Sequence, residues 1–128
     1  LLHARMVLKF VQVEPEATIL TMELGEELQG SGPGTVHGGS LATFADVTSA
    51  IALTGAFDPA EQIPVTTDLH VRYYRQPTSG PLTAEARIVH RGRRLLSTDC
   101  TVVDGDQRVL ARATATYMIV ATSEVQRS

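Results

Sequence analysis

One cysteine, Cys100, stands alone in 128 residues, so no intrachain disulfide can form and a reducing compartment is expected. No apolar run approaches the ~18–20 residues that a membrane-spanning helix needs, and the start of the chain shows no signal-peptide pattern. His3, His37, His70 and His90 are scattered, with no His-x-x-x-His and no cysteine pair to hold a metal ion. Internal repeats and low-complexity segments are absent. Basic residues are scarce early: before Arg72 only Arg5 and Lys9 stand against nine acids. With a net charge of -3, nucleic acid is not an expected partner, and neither is a membrane. These exclusions leave an ordinary soluble domain, expected in the cytoplasm. At this length it spans 1–128 as one unit, large enough for one core but not for two.

The most informative scarcity is of charge between Gly38 and Phe57. Asp46 is the one charged residue there. The run Leu41–Phe57 is long enough for a helix of four to five turns. Ser40 suits its N-cap, Gly38 and Gly39 let the backbone turn into it, and Gly55 suits its end. Leu41, Phe44, Thr48, Ile51 and Ala52 fall at helical spacing, and the other faces carry small or apolar residues. A helix of that composition is expected to be buried all round. An unpaired carboxylate inside it is costly, and no Lys or Arg lies one turn away. Two readings follow for Asp46: a core acid bonded to backbone or to the hydroxyls of Thr43 or Thr48, or a catalytic carboxylate.

Strands surround this helix. Residues 5–13 and 17–24 read as a hairpin broken at Glu14-Pro15-Glu16, and 25–34 as a glycine-rich loop. Four more strands follow: Pro64–Arg75, Leu82–His90, Leu95–Val103 and Arg108–Val120. In the first, Val65, Thr67, Leu69, Val71 and Tyr73 alternate with Thr66, Asp68, His70, Arg72 and Tyr74. Asp104-Gly105 signals a hairpin turn. The core runs over about 5–120, and the polar tail 121–128 is expected to fray. The class is α+β: an antiparallel sheet of about six strands wrapped around one long helix. Inward alanines at 111, 113 and 115 let the sheet approach closely. Such a sheet leaves a helix flank and a strand edge uncovered, which points to a homo-oligomer.

Charge returns in one block. From Arg72 to Arg94 there are six arginines and one acid, Glu85. Most belong on a solvated outer face. Arg91, Arg93 and Arg94 sit at a turn, where guanidinium groups suit a small anionic ligand such as a phosphate.

Three segments together resemble a known family: Gly34-Thr35-Val36-His37-Gly38-Gly39, Asp46 nine residues after His37, and Val65-Thr66-Thr67-Asp68-Leu69-His70-Val71-Arg72-Tyr73. They resemble the hotdog-fold acyl-CoA thioesterases, most nearly the phenylacetic-acid-degradation type. The resemblance implies hydrolysis of an acyl-CoA at the interface of a dimer, or of a dimer of dimers (a homotetramer). CoA would be part of the substrate, with no separate cofactor. Asp46 would be general base or nucleophile. The Gly38 amide of the facing subunit would polarise the carbonyl, with His37 lining the same spot and Gly39 contacting substrate. Thr66 would assist the water. Ser31 falls where relatives carry Asn or Gln to orient the nucleophile, and that departure keeps a second reading open, a non-catalytic acyl-CoA binder. A hotdog dehydratase ranks last, because Asp46 has no histidine at a fitting helical offset.

Overall fold

The computed structural model describes residues 7–14, 16–24 and 36–127. Its architecture follows from period-two alternation in the strands. Ala111, Ala113, Ala115 and Tyr117 are all at most 3% exposed and form one inward row. Leu82, Ala84 and Ala86 form a second, and Thr98, Cys100 and Val102 a third. Small residues in these rows let a helix lie close against the sheet.

The elements run β1 (Leu8–Gln12), β2 (Thr18–Met22), α1 (Gly38–Ala52), β3 (Gln62–Tyr73), β4 (Leu82–Arg91), β5 (Leu95–Val103), β6 (Val109–Ala121) and α2 (Thr122–Arg127). The six strands form one antiparallel sheet in the order β1-β2-β4-β5-β6-β3. The connection carrying α1 therefore leaves β2 near one edge and returns as β3 at the other. α1 packs across one face of the sheet, against β2, β3, β4, β5 and β6. Fifteen residues long, it buries Ser40, Leu41, Phe44, Ala45, Thr48, Ser49 and Ala52. That spacing describes a single stripe.

Five expectations need correction. α1 starts at Gly38 and ends at Ala52, not at Gly55. Its N-cap is His37 rather than Ser40, whose hydroxyl is buried without a hydrogen-bond partner. Ala42, Thr43, Asp46, Val47, Ala50 and Ile51 are only half-buried, so the helix is not covered all round. Residues 122–127 form a short helix instead of a frayed tail, docked through Thr122 N–H to the Glu61 carbonyl at 2.9 Å. The fifth correction concerns β3. A bulge between Thr66 and Asp68 breaks its alternation, so Thr66 pairs with Tyr117 while Leu69, Val71 and Tyr73 pair with Ala115, Ala113 and Ala111. Directly paired residues share a face. Thr66 therefore belongs with Leu69 and Tyr73 on the helix side, and Val65 is 40% exposed.

Candidate active site

Asp46 sits mid-helix on the half-covered flank of α1. It is not stranded: the Tyr117 hydroxyl donates to its Oδ1 at 2.9 Å and lies 3.3 Å from its backbone carbonyl. The threonines on either side are occupied elsewhere. Thr43 donates to the Gly39 carbonyl and Thr48 to the Phe44 carbonyl. Oδ2 has no hydrogen-bond partner among the described residues. Burial pushes the Tyr117 hydroxyl well above the usual tyrosine range, and the negative charge of Asp46 pushes it further. The phenol thus stays protonated and donates.

The tip of α1 is pinned on three sides. His37 adopts φ -60 and ψ 131, and its Nδ1 accepts from Gly39 N–H at 2.9 Å. The ring proton then belongs on Nε2. The Gly38 carbonyl accepts from the Tyr73 hydroxyl at 2.9 Å. The His37 carbonyl accepts from Ser40 N–H at 2.9 Å and Leu41 N–H at 3.4 Å. The peptides on both sides of Gly38 are thereby held. Gly38 N–H itself has no partner among the described residues. As the first helical residue it also carries the positive end of the helix dipole. Beside it opens a cleft of about 310 Å³ lined by Gly38, Leu41, Tyr73, Tyr74, Arg75 and Gln76.

Within one chain these two features are far apart. Asp46 lies eight residues beyond Gly38 along the helix, a rise of about 12 Å. One thioester-sized group cannot touch both.

Thr66, through the β3 bulge, is the cross-strand neighbour of Tyr117, whose hydroxyl reaches the Asp46 carboxylate. On the other side of Tyr117 lies Leu96, at the start of β5. The turn before β5 forms a cleft of about 600 Å³ lined by His90, Gly92, Arg93, Arg94 and Leu95. Arg93 and Arg94 therefore face one groove, one strand away from Tyr117. Arg91 ends β4, is exposed and does not line that groove. Ser31 lies outside the described residues. Among the described residues no group of three or more His, Cys, Asp or Glu could hold a metal ion.

Residues 33–111 match the family described as Thioesterase superfamily. The chain belongs to that superfamily. A thioesterase with this fold recurs among solved structures. The mutant thioesterase PA1618 from Pseudomonas aeruginosa is 23% identical, with TM-score 0.82 over 89% of this chain and 81% of that one. At that identity the likeness shows the hotdog fold alone. The smu.793 protein of Streptococcus mutans, bound to acetyl CoA, is 25% identical with TM-score 0.78, covering 90% of each chain. In sequence, a mouse acyl-coenzyme A thioesterase, THEM4, is 31% identical over 103 residues. The match covers 79% of this chain but 42% of the mouse protein. A Deinococcus radiodurans protein named only as a presumed esterase is 28% identical over 120 residues, covering 94% of this chain and 74% of that protein.

Two tyrosines of this thioesterase-superfamily chain escaped the reading of its sequence as site residues. Tyr117 ends the inward row Ala111-Ala113-Ala115, and a hydroxyl in such a row needs a partner. That was the available signal. Its partner lies 71 residues away in sequence, which no local pattern reveals. Tyr73 stands in the sequence only as the last residue of the Val65–Tyr73 segment. Its bond to the Gly38 carbonyl spans 35 residues.

Proposed function

We propose that this protein hydrolyses acyl-CoA thioesters in a site built from two copies of the chain, as in the phenylacetic-acid-degradation group that its motifs resemble. The observation that carries the reading is the Gly38 N–H: a rigidly held donor without an acceptor among the described residues, about 12 Å along the same helix from Asp46. Two antiparallel copies of α1 bring the Asp46 of one against the Gly38 of the other. The half-covered flank of α1 and the bare edge of β3 are the surfaces such a pairing would cover, as a dimer or a dimer of dimers.

Each step needs little from the protein. The ionised Asp46 supplies the attacking oxygen, either by taking a proton from water as the water oxygen bonds to the carbonyl carbon, or by adding to that carbon itself. Thr66 steadies the water. The carbonyl oxygen becomes an oxyanion facing the Gly38 N–H of the other copy, a contact worth roughly 3 kcal/mol. Collapse breaks the C–S bond and expels the CoA thiolate; this gives the free acid on the first route and, on the second, an acyl-Asp46 anhydride that water then cleaves to the free acid and the restored carboxylate. A thiolate leaves readily, so no second acid is called for. His37 and Gly39 border the carbonyl, and His37 also shapes the donor by holding Gly39 N–H. Arg93 and Arg94 offer their groove to the CoA phosphates, with Arg91 and Ser31 as further substrate contacts.

The CoA half of the substrate is supported by the mouse relative's name and by the acetyl CoA in the Streptococcus mutans structure. The test is a panel of aryl- and fatty-acyl-CoA substrates, with released CoA read by a thiol reagent. Turnover that falls about 10²-fold or more in Asp46→Asn is the expected result. Saturable binding without turnover across the panel would make the protein a binder instead.

A further inference from the structure

Tyr117 is 1% exposed, at the end of a row of inward alanines. A tyrosine merely filling the core could satisfy its hydroxyl on the helix backbone. Tyr117 has that option and does not favour it: Oη lies 2.9 Å from Asp46 Oδ1 and 3.3 Å from the Asp46 carbonyl. It is the one side-chain donor to that carboxylate among the described residues. With Asp46 ionised, the phenolic proton has to point at Oδ1.

We infer that Tyr117 is a positioning residue for Asp46, holding Oδ1 so that Oδ2 alone is presented to the water or thioester carbonyl, and stabilising the ionised carboxylate. This rests on the thioesterase reading above and assigns a task that the resemblance had given to the Ser31 position. It also links Thr66 to the site, since Thr66 and Leu96 flank Tyr117 across the sheet. The surroundings leave few competitors for control of Asp46. Cys100 on β5 also faces this region, and burial pushes its thiol up to about 12, so it stays neutral. Asp68 on β3 pairs with Thr116, and Glu85, Arg87 and Asp99 line a groove with Arg112, all on the other side of the sheet. α1 carries no other charged residue. The facing copy brings His37, which is unchanged in the variants below.

The test compares Tyr117→Phe with the parent by melting, by kcat and KM, and by the pH dependence of kcat. A hydrogen bond to a charged group corresponds to about tenfold or more. The variant is expected to melt as a folded protein, to lose about tenfold or more in kcat with KM little changed, and to shift the acid limb of its profile upward by about one unit. A folded variant with unchanged kcat and acid limb would overturn the inference. If Tyr117→Phe fails to fold, a ring-fluorinated tyrosine at 117 is the second arm. Its more acidic phenol donates more strongly, so the acid limb moves down; an unmoved limb overturns the inference. Asp46→Asn separates the two levels. Should it lack activity while both Tyr117 variants are silent, Asp46 stands and Tyr117 is only core. If the parent shows no Asp46-dependent hydrolysis, the thioesterase reading fails and this inference falls with it.

Discussion

Gly38 is a residue on which the fold makes little demand and the proposed chemistry a large one. Among the described residues, a methyl group there would meet the Tyr73 side chain first, at 3.6 Å, an ordinary contact. Its φ is not among the positive values, which among the described residues belong to Gly55 and Gln107. Glycine at 38 is therefore demanded neither by backbone conformation nor by this chain's packing. Gly38→Ala should leave the melting temperature unchanged or raised, since alanine helps a helix by up to about 1 kcal/mol. The rate should nonetheless fall by about 10²-fold, because a carbonyl pushed back by a methyl group loses its alignment. Melting and steady-state rates together check this. Tyr73→Phe should cut kcat more mildly, since it frees the Gly38 carbonyl but leaves the His37 clamp. Asp46 was legible in the sequence because one charge in a long uncharged run is conspicuous. Tyr117 and Tyr73 were not, because their partners are distant in the chain. Ser40 misled for a physical reason: serine is the usual cap, but here a histidine ring nitrogen takes the amide first.

At the scale of elements, the strands were readable from alternation and most of their limits hold within a residue or two. Bulges were not readable. The Thr66/Asp68 irregularity reverses the face of half of β3, and no composition signal marks it. The β5–β6 turn is also built differently from a two-residue hairpin. Asp104 N–H donates to the Arg108 carbonyl, and Gln107 holds the positive φ of 66. The buried Asp104 carboxylate accepts from the backbone N–H groups of Asp106, Arg108 and Thr78. Burial opposes its charge, but these hydrogen bonds with Arg108, Thr78 and Asp106 prevail and hold it below the usual carboxylate range. A depressed carboxylate stabilises the fold above its unfolded value, about 3.9, and that stability is lost as pH falls through the folded value. Asp104→Asn should thus melt lower than the parent at pH 7, and the gap should begin to narrow as pH falls below about 4, closing only below the depressed folded value. Gly105 packs in the same junction. A Cβ there would lie 2.6 Å from the Gly80 carbonyl oxygen and 2.7 Å from the Ser79 hydroxyl. Gly105→Ala should cost about 1–3 kcal/mol, read by denaturant unfolding. Cys100 works in the opposite pH direction. Its raised thiol value contributes stability below about pH 8.5, lost as pH rises towards the folded value. A thiol reagent should therefore modify native protein at pH 8 hardly at all, and titrate one thiol after unfolding.

For the whole molecule, the decisive feature is division. Asp46 and Gly38 lie on one helix but too far apart to share a carbonyl, so the proposed chemistry exists only between copies. The sequence carried the hint, in an uncovered helix flank and a sheet edge, but a pairing between chains leaves no periodicity within one chain. Complementation measures it most directly. Gly38→Pro removes the donor cleanly: proline is tolerated at the first helical position, and His37 already has the extended backbone that precedes a proline. Asp46→Asn and Gly38→Pro should each be inactive alone. Unfolded together and refolded as a mixture, they should recover about a quarter of parental activity, because half of the random pairs are mixed and each holds one intact site of two. A mixture as inactive as its components, with mixed oligomers demonstrated, would contradict a site shared between Asp46 of one copy and Gly38 of another.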